Sequence, residues 1–581
     1  MDILELLVER QELTTDQVGQ VRNRMRRAGI PAQQAILELG FSSQGAVYQA
    51  LSEATGIPLV APGKTPPSDE VIAKVPAKVA LHYNFVPLSL ERGTLRAAFA
   101  NPPDIRERES LRLLLGLRLD ICLATPTEVS NELKRIYGLG AEKVIQLSQD
   151  RKANQTTAVD GAFDDKNEEN LDIKGSDEDA SIITLVNEII AEAMRMHTTD
   201  IHIEPFRDKI RVRYRIDGML REIPTPPGMV ELREAIISRL KIMARLNIAE
   251  KRLPHDGRIR LVLNGQPSDI RVSIIPTRFG ETVCLRILNS NAIFIEMSRL
   301  GLSKYQLTLL TKLVSMPHGI MLVTGPTGSG KTTTLYAALA YVRDKYPERK
   351  IITVENPVEY ELSGTTQIQM HAEIGLTFAA ALRSILRHDP DIILVGEIRD
   401  NETADIAIQS ALTGHLVLST LHTNDSVGAV NRLVNMGIEP YLVASALVAS
   451  VAQRLVRRIC KHCKVEDEAI PRRIRAEIAE ATGCSPEDVK AWKGQGCLEC
   501  NHTGYRGRVA IYEFFLLDEE IQDMVAANAG TSELRKAAME RGMKTLRQDG
   551  WNKVLDGETS IEEIQRITSN FQISYDLDEM E

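Results

Sequence analysis

The residues with the clearest chemical potential form the stretch GPTGSGKT, from Gly325 to Thr332. It follows the apolar segment IMLV and precedes TTTLYAALAYV, which is predicted to be a helix. In such a turn, glycines let backbone amides face phosphate oxygens, the lysine reaches the β- and γ-phosphates, and the next hydroxyl binds Mg²⁺. We therefore expect Thr332 to bind magnesium, and we expect ATP to be held by Gly325, Pro326, Thr327, Gly328, Ser329, Gly330, Lys331, Thr332 and Thr333.

Carboxylates follow two further apolar segments that are predicted to be strands. Glu397 comes directly after IILVG, so it is expected at the carboxyl edge of the sheet beside the phosphate loop. There it would hold magnesium, directly or through water. The stretch IITVENPVEY delivers Glu355 and Glu359 to the same edge. Hydrolysis needs a group that polarises the attacking water, and the sequence leaves both of these glutamates as candidates.

Two histidines lie at the ends of another apolar segment, GHLVLSTLHTND. His415 begins it, and His422 closes it within a run of hydroxyl-bearing residues. A lone histidine is usually structural and bonded to a backbone partner. Because His422 ends a strand that adjoins the predicted nucleotide site, we expect it to sense the γ-phosphate, a role that suits His415 less well.

Two CxxC pairs, Cys460 with Cys463 and Cys497 with Cys500, are separated by 33 residues. This spacing suits a tetrahedral zinc site with four thiolates, which leaves no open position for catalysis. The alternative is four reduced thiols without metal. Zinc sites of this kind often occur in nucleic-acid-binding proteins, but the net charge is −9 and aromatic residues make up 4%. Neither a basic surface nor stacking aromatics are therefore expected, and we predict a structural role and no direct nucleic-acid partner.

The elements that must position these residues alternate between strands and helices. After Gly301, the apolar segments GIMLVTG, KIITVE, DIILVGE and HLVLSTL are separated by helical stretches, which is typical of a parallel sheet with crossover helices. The predicted fold class is thus α/β, with a RecA-like P-loop core. The longest apolar run starts at Tyr441 and is shorter than the roughly 20 residues of a membrane span.

The sequence before this core predicts an α+β domain in which one strand has a charged face. In KIRVRYRID, Arg211, Arg213 and Arg215 alternate and so project from one face of a strand. Like charges on one face are costly unless anions meet them, so either a phosphate or a salt-bridged surface is expected. Further candidates for phosphate contacts are Arg258, Arg271 and Arg286. The carboxylates and imidazole of Asp200, His202 and Glu204 also share a face, and hydrogen bonding is their expected role.

The amino-terminal part predicts a helical domain built from two similar segments, an accessory α+β domain and an acidic flexible linker. The predicted divisions are a helical repeat domain at 1–60, an accessory α+β domain at 61–145, the linker at 146–180, an arginine-bearing domain at 181–290, the ATPase core at 291–456, the tetracysteine module at 457–510 and a carboxyl-terminal helical region at 511–581.

Four of these segments together resemble the secretion ATPase superfamily, specifically the assembly ATPases of type II secretion systems and type IV pili. GPTGSGKT resembles its Walker A box, ITVENPVEY its aspartate box, RHDPDIILVGEIRD its Walker B box and GHLVLSTLHTND its histidine box. TDIHIEP, RYRIDG, KRLPHDGR and the paired CxxC extend the resemblance over roughly residues 180 to 510.

The resemblance implies a PAS-like domain before the core, whose arginines reach a nucleotide, sometimes across a subunit boundary. It also implies a homohexamer that is cytoplasmic and associated peripherally with the inner membrane through partners. An inner-membrane platform protein would receive its motion and add pilin or pseudopilin subunits to a filament. Relatives with amino-terminal repeats bind cyclic di-GMP through an arginine-leucine-glycine element. Here Asp2-Ile3-Leu4 and Gln34-Ala35-Ile36 stand in its place, so we expect docking to a membrane partner instead.

Two alternative functions belong to the same superfamily. A nucleic-acid-translocating motor would use the cysteine module to grip its substrate, which the acidic composition disfavours. A pilus-retraction ATPase would be shorter and would usually lack both the amino-terminal half and the cysteine module.

Overall fold

The chain was analysed as a computed structural model that describes residues 2–64, 66–141, 143–144, 177–263, 266–288 and 296–569. It divides into two compact units, Met1–Ile287 and Leu288–Glu581. Each unit has its own buried apolar clusters and is described separately. Within the described residues, we find no helix that combines the length and the apolar character needed to span a bilayer.

The first unit begins with the expected helices, and an α+β module follows them. Thr14 shows how sequence sets these elements: it caps the second helix by accepting a hydrogen bond from the Gln17 N–H, and Gly29 ends that helix in a left-handed conformation. In the module, the first two strands pair antiparallel and the second and third parallel. The elements are α1 Ile3–Glu9, α2 Thr15–Ala28, α3 Ala32–Glu38, α4 Gln44–Thr55, α5 Asp69–Lys74, α6 Ala77–His82, β1 Phe85–Glu91, β2 Thr94–Phe99, α7 Ile105–Leu115, β3 Arg118–Leu123 and α8 Pro126–Tyr137.

The remainder of the first unit is a six-stranded sheet with two helices, in agreement with the predicted α+β domain. Its strand order is β6-β5-β4-β9-β8-β7, and the pairs β6–β5, β5–β4, β4–β9 and β8–β7 are antiparallel. The elements are α9 Asp177–Arg195, β4 Thr198–Pro205, β5 Ile210–Ile216, β6 Met219–Ile223, α10 Arg233–Met243, β7 His255–Leu263, β8 Gln266–Thr277 and β9 Gly280–Leu288.

Of the predicted acidic linker at 146–180, residues 146–176 lie outside the described residues. Residues 177–180 are the first turn of α9, so this helix begins four residues before the predicted end of the linker. The difference arises because the apolar periodicity that predicts the helix starts only after this turn, and the acidic composition of the turn masks the helix start in the sequence.

The second unit contains the expected α/β core. Its sheet has the order β12-β11-β13-β14-β10-β15-β18, in which neighbours are parallel as far as β15. The elements of the core are α11 Lys304–Val314, β10 Gly319–Thr324, α12 Lys331–Lys345, β11 Ile351–Glu355, β12 Thr366–Gln369, α13 Phe378–Ile385, β13 Ile392–Val395, α14 Asn401–Leu412, β14 Leu416–Leu421, α15 Gly428–Asn435, α16 Pro440–Ala446 and β15 Leu447–Ile459.

The cysteine module is an insertion within an edge hairpin of this sheet. Strand β15 pairs antiparallel with β18, which runs from Tyr505 to Leu516, and the cysteine pairs lie between the two strands. The predicted divisions after residues 456 and 510 therefore fall inside β15 and β18. The remaining elements are β16 Lys464–Glu466, α17 Arg472–Thr482, β17 Trp492–Gly494, α18 Glu519–Ala526, α19 Thr531–Glu540, α20 Leu546–Leu555 and α21 Ile561–Thr568, with short 3₁₀ turns at Pro62–Lys64, Pro227–Leu232, Met297–Arg299, Ala372–Ile374, Pro486–Asp488 and Leu498–Cys500.

The core of the second unit explains why the central strands are continuously apolar. In β10, Ile320 and Leu322 contribute to one apolar cluster, whereas Met321 and Val323 contribute to another. Because side chains alternate between the two faces of a strand, both faces of this sheet are buried, as parallel sheets require.

A buried ion pair in the first unit provides a test of its folding. Lys241 on α10 lies 2.7 Å from the carboxylate of Glu281 on β9, and its ammonium also donates to the Glu250 carbonyl, 2.6 Å away. We predict that Lys241→Met destabilises the domain by about 3–5 kcal/mol, because it leaves a buried carboxylate without its cation. The double variant Lys241→Met/Glu281→Leu should recover most of this loss. Calorimetric unfolding of the full chain measures both, and equal stability of the single and double variants would contradict the prediction.

Candidate nucleotide site

The loop between β10 and α12 has the conformation that the sequence predicts. Gly325, Gly328 and Gly330 have φ angles of +146°, +80° and +89°, which residues with side chains rarely adopt. A side chain at Gly325 would also place its Cβ 2.6 Å from the Gln453 carbonyl oxygen. Glycine is therefore required here both for backbone conformation and for the close approach of β15.

Lys331 lies at the start of α12 and is largely buried against its own loop. Its ammonium donates to the carbonyl oxygens of Gly325 (2.8 Å) and Pro326 (3.1 Å). Burial lowers the pKa of Lys331 to about 8, with the nearby Arg454 guanidinium acting in the same direction and Glu397 opposing it. The Ser329 hydroxyl is also buried, and no hydrogen-bond partner for it exists among the described residues. A poorly solvated cation and an unpaired hydroxyl in a glycine loop are suited to phosphate oxygens.

The sheet brings Glu397 and His422 together at its carboxyl edge. Strand β14 lies between β13 and β10, so His422, which follows β14, stands between the phosphate loop and the Glu397 loop. The His422 Nε2 atom is 3.6 Å from Glu397 Oε2, and Arg399 pairs with the other carboxylate oxygen at 2.7 Å. Burial lowers the pKa of His422, Lys331 lowers it further, and Glu397 opposes both effects. The imidazole therefore favours its neutral form.

The two candidate base residues have different surroundings. Glu355 is buried at the end of β11, where it accepts hydrogen bonds from the Tyr336 hydroxyl, from Thr353 Oγ1 at 2.6 Å and from Gln367 Nε2 at 3.2 Å. Burial and the Glu355 carboxylate together raise the pKa of Tyr336, which keeps this donor protonated. Glu359 lies four residues further along the chain and is partly exposed. The Glu355 carboxylate is thus already engaged by three donors.

His415 lies at the opposite end of β14 from His422. Its Nδ1 atom is 2.8 Å from the Ser410 carbonyl oxygen, within the turn that follows α14. This arrangement gives it a backbone partner on the far edge of the sheet, away from the phosphate loop.

The arginine-bearing face of the first unit is met by carboxylates of the same chain. Glu204 pairs with Arg211 at 3.0 Å and with Arg213 at 2.5 Å, and both nitrogens belong to side chains of strand β5. Asp200 pairs in the same way with Arg215 at 3.5 Å and with Arg286 at 2.9 Å. Between the two carboxylates, burial lowers the pKa of His202. The sequence left phosphate binding and salt bridging open, and the geometry shows that salt bridges form.

Arg258 and Arg271 have a different relationship. They are directly opposed in the antiparallel register of β7 and β8. Directly opposed like charges destabilise a strand pair unless anionic groups meet them.

The four cysteines of the CxxC pairs converge. Their sulfur atoms all lie within 4.8 Å of one another, with distances of 3.8 Å for Cys460–Cys497, 3.9 Å for Cys463–Cys500 and 3.7 Å for Cys497–Cys500. Four thiolates at about 2.3 Å from a tetrahedral zinc ion would be about 3.8 Å apart. Burial would raise the pKa of Cys500, but backbone N–H donors from Cys497 and Gly504 outweigh it and lower the value to about 7. The sulfur geometry therefore fits a zinc ion.

A comparison with protein-family models assigns most of the chain. The model described as "Type II/IV secretion system protein" matches residues 175–566, and the MshEN domain matches residues 55–143. The chain belongs to the type II/IV secretion system protein family. The expected resemblance to secretion ATPases is thus confirmed, as is the expected α/β fold class.

Curated members of the secretion family match along nearly their whole length. The type IV pilus assembly ATPase PilB of Myxococcus xanthus is 40% identical over 96% of this chain and 97% of its own. The type II secretion system protein HxcR of Pseudomonas aeruginosa is 49% identical over 80% of this chain and 92% of its own. The type II secretion system protein E of Xanthomonas campestris pv. campestris is 41% identical over 98% of both chains.

The sequence analysis did not identify two residues beside the phosphate loop of this secretion-family chain, Gln453 and Arg454. Arg454 on β15 donates to the Gln453 carbonyl at 3.1 Å and to the Asn424 carbonyl at 2.7 Å, which links β15 to the loop after His422. Gln453 itself accepts from the Thr334 hydroxyl of α12 at 2.8 Å. One sequence signal could have identified them: the apolar run that starts at Tyr441 changes abruptly to Gln453-Arg454. At this point a strand of the sheet reaches the edge that carries the nucleotide site.

The buried ammonium of Lys331 predicts a pH dependence of nucleotide affinity. Its pKa of about 8 lies below the ordinary value, so the charged form is complete only at lower pH and is lost as the pH rises through 8. Because phosphates favour the charged form, the Kd for MgATP should be constant from pH 6 to 7 and should rise above pH 8, by at most about tenfold per pH unit.

Calorimetric titration in buffers of different ionisation enthalpy measures both the affinity and the proton uptake. Lys331→Arg is the control, since arginine stays charged throughout this range. A Kd that is constant to pH 9 in the unmodified protein would contradict this account of Lys331.

Proposed function

We propose that this chain is a magnesium-dependent ATPase that powers the assembly of a type IV pilus or a type II secretion pseudopilus. The observation that carries the proposal is the convergence of Lys331, Glu397 and His422 at one edge of the sheet around a glycine loop that is suited to phosphate. The names of the relatives support it, since they include both a pilus assembly ATPase and type II secretion proteins.

The residues of the phosphate loop have distinct tasks in this proposal. Lys331 would leave the carbonyl oxygens of Gly325 and Pro326 and donate to the β- and γ-phosphates, while backbone amides of the loop hold the remaining oxygens. Thr332 is exposed at the start of α12, so its hydroxyl can hold magnesium, with Glu397 assisting directly or through water. The metal, when bound, neutralises charge that develops on the phosphate oxygens.

The contacts of Glu355 favour Glu359 as the base that polarises water. A base must be accessible to water, and Glu355 is buried and bonded to protein donors, whereas Glu359 is partly exposed. In this proposal, Glu355 has a structural role: its hydrogen bonds hold the start of the loop that carries Glu359. His422, neutral and close to Glu397, can donate one hydrogen bond to the γ-phosphate and so sense its presence.

Arginines of the first unit are proposed to complete the nucleotide site. Arg213, Arg215 and Arg286 would have to exchange Glu204 or Asp200 for phosphate oxygens, and Arg258 and Arg271, which are opposed on neighbouring strands, are further candidates for phosphate contacts. If these residues come from a neighbouring subunit, the protein works as a ring, and we propose a homohexamer on this basis.

Coupling to a filament requires partners beyond the ring. We propose that it acts at the cytoplasmic side of the inner membrane through a platform protein, which passes the motion to pilin or pseudopilin subunits. The amino-terminal helices would dock to the cytoplasmic domain of a membrane partner. The departure from the arginine-leucine-glycine element at Asp2 and Gln34 argues against cyclic di-GMP as a ligand.

Zinc is proposed to fill the cluster of Cys460, Cys463, Cys497 and Cys500. The sulfur–sulfur distances fit a tetrahedral ion, and the module around it is small. Within the module, Gly494 lies so close to the Gly504 backbone that a side chain at Gly494 would not fit. Metal would stabilise this module and present it to neighbouring subunits or to the platform protein.

Two substitutions test the nucleotide site. Lys331→Ala removes the cation for the β- and γ-phosphates, and Glu397→Gln removes the charge that holds magnesium. We expect each to lower magnesium-dependent ATP hydrolysis by at least about 100-fold. Phosphate release by the purified full chain measures the rate, and circular dichroism checks that the fold is intact. Hydrolysis at the unmodified rate in either variant would overturn the site assignment.

A third substitution tests the cysteine cluster. Cys460→Ser should reduce the zinc content, expected at about one ion per chain, and impair filament assembly while ATP affinity stays within about twofold. Cys484→Ser is the matched control, since Cys484 lies outside the cluster and contacts Thr482. Elemental analysis measures the metal. Retention of zinc in Cys460→Ser would disprove the site, and loss of a measurable DNA affinity with normal assembly would favour the nucleic-acid motor.

A further inference from the structure

The loop Thr423–Ser426, called the post-histidine loop here, follows His422 and contacts several elements of the nucleotide site. The Asp425 carbonyl accepts hydrogen bonds from Thr423 Oγ1 at 2.8 Å and from Thr324 Oγ1 at 3.4 Å, and Thr324 ends β10 just before the phosphate loop. The Asn424 carbonyl accepts from Arg454 at 2.7 Å. The position of this loop therefore fixes where β14 ends and where the His422 imidazole lies.

The side chain of Asp425 joins the post-histidine loop to the carboxyl-terminal helices. Its Oδ1 atom accepts from the Gly428 N–H at 2.7 Å, which starts α15. Its Oδ2 atom lies 2.7 Å from the Arg535 guanidinium on α19. Both side chains of this ion pair are about one-third exposed (33% and 32%), so the pair is partly shielded from solvent.

A buried carboxylate on β18 provides a second anchor for the same loop. Glu513 accepts from both the N–H (2.9 Å) and the hydroxyl (2.6 Å) of Ser426, and from the Leu546 N–H at 3.3 Å. Arg535 lies 4.0 Å from this carboxylate as well. Ser426 is completely buried, so both of its donors depend on Glu513.

Arg535 is thus the cation shared by the two carboxylates that hold the post-histidine loop. Removing it would take from Asp425 its ion-pair partner and from the buried Glu513 one of two nearby cations, the other being Arg454. The loop would then be held by fewer contacts at the end that precedes α15. Because the His422 imidazole is 3.6 Å from Glu397, a shift of about 1 Å in this loop would change that contact.

We propose that Arg535 is a positioning residue for ATP hydrolysis, acting through Asp425 and Glu513 on the loop that follows His422. The inference rests on the proposed ATPase function and adds to it a role for the carboxyl-terminal helical region, which lies outside the predicted nucleotide site. Within the described part of the chain, the ion pairs of Arg535 are with Asp425 and Glu513 and none is with the phosphate loop, so it affects the rate of hydrolysis without taking part in nucleotide binding.

The test compares steady-state hydrolysis by full-length variants. Arg535→Gln should lower kcat by about 10-fold or more, while KM for ATP and the affinity for a non-hydrolysable ATP analogue stay within about twofold. Arg535→Lys keeps the charge and should recover much of the rate. Arg541→Gln is the matched control, since Arg541 directly follows the same helix and pairs with Asp518 and Glu520 and not with the post-histidine loop, and it should retain the unmodified rate.

A double-mutant cycle separates pairing from general destabilisation. Asp425→Asn keeps an oxygen for the Gly428 N–H but removes the charge that meets Arg535. If the two residues act as a pair, Asp425→Asn/Arg535→Gln should be no slower than the slower single variant. If Arg535→Gln does not fold, the kcat values of Asp425→Asn and Arg535→Lys test the same ion pair, the first by removing the negative charge and the second by keeping the positive one.

Two outcomes would overturn the positioning role. One is unmodified kcat in a folded Arg535→Gln protein, and the other is a raised KM with unchanged kcat. Failure of the proposed function is recognised separately, by hydrolysis that survives Lys331→Ala.

Discussion

Strand β10 is the element on which the arrangement of the second unit depends. All six of its residues are buried, and the four from Ile320 to Val323 alternate between two apolar clusters on opposite faces of the sheet. Such a strand is stable only with helices on both faces, which in turn requires parallel neighbours joined by crossovers. The carboxyl ends of β10, β11, β13 and β14 then meet at one edge. Hydrophobic burial therefore brings Lys331, Glu397 and His422 together before any contact among them is considered.

The charged groups at that edge are held in pairs that a ligand can replace. Lys331 rests on two carbonyl oxygens, and Glu397 lies between His422 and Arg399. Isolated buried charges are costly, so each of these charges has a protein partner. The arginine face of the first unit follows the same rule, with Asp200 and Glu204 as the protein's own anions. Pairing with groups of the same chain is thus common to both charged surfaces.

The parts of this molecule that the sequence predicts are those set by local pattern. The phosphate loop is one example, because the glycine spacing, the preceding apolar strand and the following helix are contiguous in the chain. The convergence of the four cysteines is another, because the ligand spacing of zinc sites is characteristic. The engagement of Glu355 was not predictable in this way. Its partners include Tyr336, 19 residues away on another element, and nothing near Glu355 in the sequence indicates that contact.

Arg454, Glu513 and Arg535 were missed for the same physical reason. Each acts through a loop that is distant in sequence, and the contact of Glu513 with Ser426 spans 87 residues. In the sequence, these residues resemble the many charged residues of solvated surfaces. The parallel pairing of β15 with β10 places Arg454 beside the phosphate loop, the antiparallel pairing of β15 with β18 brings Glu513 to the same sheet, and Arg535 reaches it from α19.

The hairpin of β15 and β18 also connects the cysteine module to the nucleotide site. Strand β15 carries Gln453 and Arg454 against the phosphate loop, and β18 carries Glu513 against the loop after His422. Both strands lead to the cysteine pairs, with one register shift between Arg457 and Ile459; Cys460 directly follows β15, and Cys500 lies shortly before β18. Paired strands are stiff along their length, since each ladder bond limits the next. The module is therefore covalently continuous with the same two strands that lie against the phosphate loop and the loop after His422.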